Sequence, residues 1–474
     1  MHLQTQALVI VVVYLVVMLG IGFIVGKLNI KNSEDYMVAG RRMGLFFVAF
    51  SLSANNIGGG STTGLAQRAY GEWGISAVWY VLAASIAMIP LAYFAPKIRK
   101  TMAVTIPEVV GRRFGNVSSS ITAVLSVLSL FCLTSSQIAA AGSVVSTLLG
   151  IPTNVALVAA GFVVIFYTTF GGMVADQVAD LIQFCVILVG LAIATPFVIE
   201  GCGGWEAVSS ALPPAQLDFT TIGVVTIIGY IFNYFCTFLA GPEMVSRFES
   251  AKDEKTATHA AWLSAVLMAA MAFFPTLLGL CAAATMPGLP NEGANAMLEV
   301  TTTHAPEFVA GIVCAAIICA TMSSADSNLL CMSTIIMNDL YLKFGGRELT
   351  DKQKVFYTRA CNVVFALIAI GISMFGVPIV TMNTFAFGIR CAGPFAAYGL
   401  GLVVKNATKN SGIISLVGGT IGFLFWQFLS GGDFLFGILP VVFGCFVSVV
   451  VFFVVNAIEW KRGVPAAPSA YLEE

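Results

Sequence analysis

Apolar runs long enough to cross a membrane recur along almost the whole chain, and nothing else in the sequence constrains the fold as much. A hydrocarbon core of ~30 Å takes about 20 residues at a rise of 1.5 Å each. Spans are predicted near 6–26, 44–70, 74–95, 118–147, 152–171, 174–199 and 220–245. Six more are predicted near 258–285, 307–341, 355–375, 378–404, 411–429 and 434–456. Only 10% of the 474 residues are charged, against about 25% in soluble domains, too few to cover a water-facing surface. The chain therefore reads as an all-α polytopic membrane protein of about thirteen helices. The first run, Ala7 to Val25, lacks the basic start and small-residue cleavage site of a signal peptide and is expected to remain a membrane helix.

The placement of charge orients these spans. Lys27, Lys31, Arg41 and Arg42 follow the first span; Lys97, Arg99, Lys100, Arg112 and Arg113 follow the third. Arg247, Lys252 and Lys255 follow the seventh, and Lys343, Arg347, Lys352, Lys354 and Arg359 the ninth. Lys405 and Lys409 follow the eleventh, and Lys461 and Arg462 the last. Together these are 21 of the 23 lysines and arginines, all on one face. The positive-inside rule makes that face cytoplasmic. The expectation is a protein of the cytoplasmic (plasma) membrane with its N-terminus outside and its C-terminus inside. Arg68 falls near the outer face, and Arg390 falls inside a span.

Two sets of five spans, 44–199 and 220–404, begin on opposite sides of the membrane, so the second set is inverted relative to the first. The span at 44–70 is interrupted by Ser53-Ala54-Asn55-Asn56-Ile57-Gly58-Gly59-Gly60-Ser61-Thr62-Thr63. Consecutive glycines weaken a helix, and exposed backbone is not tolerated in lipid, so this stretch is expected to line an enclosed polar cavity. The matching span at 220–245 has Gly229 inside it and Gly241-Pro242 near its end.

Several polar groups lie deep in these runs. In Ala320-Thr321-Met322-Ser323-Ser324-Ala325-Asp326-Ser327, helical spacing puts Ala320, Ser323, Ser324 and Ser327 on one face. Hydroxyl and carbonyl oxygens suit a small hard cation, and unwound backbone near Ala54 and Ile57 could add carbonyls. The structural alternative is that the serines only permit close helix packing. Asp326 and Asp180 are intramembrane carboxylates, costly unless paired or bound to a cation. Arg390 lies about ten residues from either end of its span and must likewise be paired. It either binds a solute carboxylate or neutralises Asp326 or Asp180. The 11 cysteines are scattered singly and only 3 histidines occur, so no disulfide framework, metal-ligand spacing or enzymatic constellation is visible.

Those segments, taken with Tyr36-Met37-Val38-Ala39-Gly40-Arg41-Arg42 and with Tyr167-Thr168-Thr169-Phe170-Gly171-Gly172 ahead of Asp180, form an ordered series. It continues through Gly241-Pro242-Glu243-Met244-Val245-Ser246-Arg247-Phe248 and closes on Asn338-Asp339-Leu340-Tyr341. In this the chain resembles the sodium:solute symporter family, which includes bacterial proline, pantothenate and sialic acid transporters and mammalian glucose and choline cotransporters. The resemblance implies the five-plus-five inverted repeat of the leucine-transporter type, with one helix before it and two after. It implies a principal sodium site at Ala54, Ile57, Ala320, Ser323 and Ser324, and a second at Asp180, Ser323, Asp326 and Ser327. Asp326 is a carboxylate where several members have serine or threonine, and Asn56 stands where the proline transporters have aspartate. The solute is expected among Asn55, Asn56, Ser61, Trp79, Gln137, Tyr234 and Phe238. Gln137 aligns with an arginine that binds the carboxylate in sialic acid transporters, which argues against that substrate.

The expected function is therefore sodium-coupled uptake of a small polar organic solute bearing a carboxylate, such as an amino acid or organic acid. Proton coupling through Asp180 or Asp326, or a choline-like quaternary-amine solute, are the alternatives. A channel would need a filter repeat, which is not visible. A sensor would need an appended cytoplasmic domain, and 13 residues at most follow Lys461. The partners expected are sodium, solute and lipid, around a monomer with no nucleic acid.

Overall fold

The computed structural model describes residues 5–344, 349–377, 379–432 and 435–468. Arg347, one of the basic residues assigned to the cytoplasmic face, lies outside them. Among the described residues the chain is all-helical, with isolated bridges but no strand.

It opens with α1 (Thr5–Asn29) and a short α2 (Ser33–Val38). The predicted span at 44–70 forms two pieces, α3 (Leu45–Asn56) and α4 (Thr63–Tyr70), separated by the glycines. A Cβ on Gly58 would stand 2.9 Å from Gln137 Oε1 and 3.0 Å from Ser324 Oγ. Glycine is what lets the backbone come this close to two other helices. Next come α5 (Trp79–Lys100), α6 (Ile106–Phe114) and α7 (Asn116–Leu149).

The predicted spans 152–171 and 174–199 join in α8 (Thr153–Gly201), which breaks only at Gly172. Gly172 has φ +59° and ψ −175°, and a Cβ there would lie 2.8 Å from the Tyr36 ring. Only glycine fits that backbone and that space. The chain continues through α9 (Trp205–Ala211), α10 (Val224–Leu239) and α11 (Pro242–Ser250). The last two meet at a bend of 58°. Pro242 opens α11 and has no N–H with which to continue α10; Gly229 stays inside α10.

Asp253 caps α12 (Glu254–Met271), accepting from the Thr256 N–H at 2.7 Å, which holds its carboxyl below the usual range. Then follow α13 (Phe273–Thr285), α14 (Pro290–Gly293) and α15 (Ala296–His304). α16 (Glu307–Ile335) runs on through a π-helical turn into α17 (Leu342–Phe344). α18 (Asp351–Ser373), α19 (Ile379–Cys391), α20 (Lys409–Ser430) and α21 (Pro440–Lys461) complete the chain.

Among the described residues, nine helices are long and apolar enough to cross a membrane, and the bent α10–α11 pair makes a tenth. The other three of the thirteen predicted spans are broken or short, so length alone does not count them. The pieces at 44–70 and 378–404 are interrupted, and Thr153–Phe166 ahead of Gly172 is a short apolar helix. α16 forms the centre: 89% of its apolar window is buried, against 22% for α1. It packs on α1, α7 and α8, so the serines and Asp326 it carries face protein rather than lipid.

Candidate functional site

Where α3 stops, its last carbonyls meet the middle of α16. Ser323 Oγ donates to the Ala54 carbonyl at 3.1 Å, and Ser324 Oγ to the Asn55 carbonyl at 3.0 Å. Both hydroxyls also lie near the Ala320 carbonyl, at 3.3 and 3.2 Å. Ile57, with φ −90° and ψ 76°, ends α3 and is fully buried. Four of the five residues expected at the principal sodium site, Ala54, Ala320, Ser323 and Ser324, thus meet at one junction of buried oxygens, where the second carbonyl of α3 is that of Asn55 rather than Ile57. A hard monovalent cation could replace these hydroxyl hydrogens, each serine then turning a lone pair inward.

Beside this junction is a cavity of about 50 Å³. Its wall contains Asn55, Asn56 and Ser61 from the break, Gln137 of α7, Tyr234 and Phe238 of α10, and Arg390 of α19. Seven of the eight residues expected to meet solute are therefore together. Trp79 is not among them; its indole Nε1 donates to the Phe219 carbonyl at 2.8 Å, and the neighbouring Tyr80 lines the cavity instead. Asn328, Asn383 and Glu243 also line it. An adjoining cavity of about 200 Å³ shares Tyr80, Tyr234 and Asn383 and adds Arg68. The Arg68 guanidinium lies 4.1 Å from the Tyr80 ring centre and 4.8 Å from that of Trp73.

The intramembrane charges pair differently from expectation. Arg390 neutralises neither Asp326 nor Asp180; its Nη1 lies 2.5 Å from Glu243 Oε1. The cation beside Asp180 is Arg247, which the charge pattern had assigned to the cytoplasmic face and which is fully buried. The 58° bend into α11 turns it inward. Arg247 Nη2 donates to Asp176 Oδ2 at 2.5 Å, to Asp180 Oδ2 at 3.3 Å, and to Ser327 Oγ. Its Nε donates to Ser51 Oγ at 3.0 Å, and Ser51 in turn donates to Asp180 at 2.5 Å. Ser327 Oγ donates to Asp176 Oδ1 at 3.1 Å. Asp326 accepts the Ser327 N–H at 2.8 Å.

Asp176, Asp180 and Asp326 offer carboxylate oxygens all within 4.8 Å of one another. Asp180 Oδ1 and Asp326 Oδ2 are buried without a partner. One guanidinium cannot balance three carboxylates in a buried setting, so this cluster has room for further positive charge. Asp176 was missed by the sequence reading. Its signal was present, because it precedes Asp180 by four residues and so shares its helix face. Glu243 was missed as well, a lone carboxylate next to the Gly241-Pro242 break.

The chain is similar to known transporters over nearly its whole length. A sodium/proline symporter of Staphylococcus aureus (strain bovine RF122 / ET3-1) is 26% identical over 97% of this chain and 94% of its own. Among solved structures, a Na+-coupled sialic acid symporter in a substrate-bound outward-open state superposes with a TM-score of 0.84 at 19% identity. The match covers 98% of this chain and 99% of that one. A nucleobase-cation-symport-1 family transporter in a closed conformation matches with a TM-score of 0.61 at 16% identity, over 92% and 96% of the two chains. The model of the sodium:solute symporter family matches residues 36–422. These relatives are transporters rather than enzymes, and this chain belongs to the sodium:solute symporter family.

Proposed function

We propose that the chain carries sodium and a small carboxylate-bearing organic solute into the cell by alternating access. The observation that carries this reading is the junction at which Ser323 and Ser324 reach the carbonyls of Ala54 and Asn55, beside a polar cavity. Ala54, Ile57, Ala320, Ser323 and Ser324 form the principal sodium site. Asp180, Asp326 and Ser327 form a second, with Asp176 added and Arg247 as its permanent cation. The repeats 44–199 and 220–404 rock against one another about the two breaks, with one helix before them and two after. The monomer sits in the plasma membrane with its N-terminus outside.

The solute reading draws on Arg390, whose planar fork suits a carboxylate. Proline and sialic acid, named for relatives, both bear one. Sodium entering at 100 mV contributes about 2.3 kcal/mol per charge, so a second coupled ion steepens accumulation. Proton coupling is the second reading, favoured by the unpartnered oxygens of Asp180 and Asp326. Uptake by proteoliposomes across a panel of amino acids, organic acids and quaternary amines, with and without a sodium gradient, tests the proposal. Transport of the amines alone would overturn the carboxylate reading.

A further inference from the structure

The solute cavity contains a carboxylate that the reading above leaves without a role. Glu243, in the first turn of α11, lines the cavity together with Arg390 of α19. These are the only charged side chains among the described residues of its wall. Arg390 Nη1 stands 2.5 Å from Glu243 Oε1 and 2.6 Å from Oε2. A single nitrogen therefore serves both carboxylate oxygens, and the parallel two-nitrogen fork of a tight arginine–carboxylate pair is not formed. Arg390 Nε is buried without a partner. The remaining polar wall is carboxamide and hydroxyl, as at Asn328 and Asn383.

This geometry limits what can enter. A solute carboxylate that engages the unused edge of Arg390 must share one guanidinium with Glu243. Two carboxylates on one buried cation repel each other, and the less well held of them becomes a costly unpaired charge. Sodium at the Ser323–Ser324 junction offsets the count of charges. Held by carbonyls and hydroxyls, however, it donates nothing to the Glu243 oxygens. A protonated nitrogen on the solute supplies both missing things, a positive charge and hydrogen-bond donors. Glu243 and Arg390 sum to zero, and a zwitterion adds no net charge of its own to them.

We infer that Glu243 receives a cationic nitrogen of the solute while Arg390 receives its carboxylate, so the cavity selects a zwitterion over the matching anion or cation. The inference rests on the carboxylate reading proposed above. The test uses the full chain in proteoliposomes and the transient current that accompanies sodium entry. Each small amino acid is compared with its deaminated and decarboxylated match: alanine with propionate and ethylamine, proline with cyclopentanecarboxylate and pyrrolidine. The zwitterion is expected to half-saturate the current at a concentration at least tenfold lower than either match. Glu243→Gln is expected to weaken the zwitterion at least tenfold and to narrow its advantage over the anion, while Glu243→Asp keeps the order.

Anions that drive current as well as their zwitterions overturn this inference and leave the carboxylate reading standing. Current from the anions alone overturns only this inference; current from the amines alone, or from none of the compounds, overturns both. A Glu243→Gln protein that is still stabilised by sodium and keeps the wild-type zwitterion-to-anion ratio also overturns the role of Glu243. If that variant fails to insert, the wild-type comparison decides.

Discussion

Ser323, midway along α16, donates its hydroxyl hydrogen to the carbonyl of Ala54 across 3.1 Å and 269 positions of sequence. One residue further on, Ser324 does the same to Asn55. Two adjacent hydroxyls thus tie the end of a broken helix to the centre of the bundle through oxygens alone.

Ser323→Ala removes one ligand oxygen and leaves the backbone carbonyls in place. Its loss is expected to weaken sodium by about tenfold, the equivalent of about 1.4 kcal/mol for one polar contact. Ser323→Thr, which keeps the hydroxyl, stays closer to wild type. Titrating sodium against solute uptake at fixed pH reads both. An unchanged sodium half-saturation in Ser323→Ala would remove this residue from the ion path.

At the acidic cluster, loss of Asp180 and loss of Arg247 are expected to fail differently. Asp180→Asn leaves Arg247 paired with Asp176 at 2.5 Å, so the protein is expected to insert but to move fewer charges per solute. A wild-type charge-to-solute ratio in electrogenic assays would make Asp180 structural. Arg247→Gln leaves the three carboxylates without their cation, a loss of about 3–5 kcal/mol for a broken buried pair. It is expected to insert poorly or to melt far below wild type.

Gly172→Ala puts a Cβ 2.8 Å from the Tyr36 ring on a backbone with φ +59°. A loss of about 1–3 kcal/mol is expected from the strained conformation, with more from displacing the ring. The thermal midpoint of the purified protein should fall, with little change in the sodium half-saturation of whatever protein remains folded.

Much of this site was readable in the sequence, and the misses have physical causes. Polar residues inside apolar runs, together with Gly58-Gly59-Gly60, marked the α3–α16 junction because lipid tolerates neither free backbone nor unpaired polar groups. The partners of the buried charges were not readable, because they depend on how helices bend. Arg247 follows a predicted span in sequence, but α11 bends 58° away from α10 and Arg247 is fully buried. That same turn sets Glu243 against Arg390. Trp79 and Tyr80 are adjacent, and on a helix neighbours point about 100° apart. An assignment wrong by one residue therefore exchanges cavity wall for the contact with the Phe219 carbonyl.

Arg390 can be separated from a purely structural role through its actual partner. Arg390→Gln strands Glu243, and the double variant Arg390→Gln with Glu243→Gln removes both charges. The double variant is expected to recover membrane insertion but not solute affinity. Arg390→Lys keeps the charge without the fork and should fall between wild type and Arg390→Gln. Recovery of insertion together with wild-type affinity in the double variant would take Arg390 out of solute binding.

Sodium as the driving ion can be read from an imposed gradient. Proteoliposomes are loaded with the panel amino acid at equal concentration inside and outside, and sodium alone is then raised outside at fixed, equal pH. Net solute accumulation is expected to scale with the sodium gradient and to collapse in Ser323→Ala with Ser324→Ala. Equal accumulation with potassium or choline in place of sodium, or accumulation driven by a pH gradient without sodium, would rule out sodium coupling.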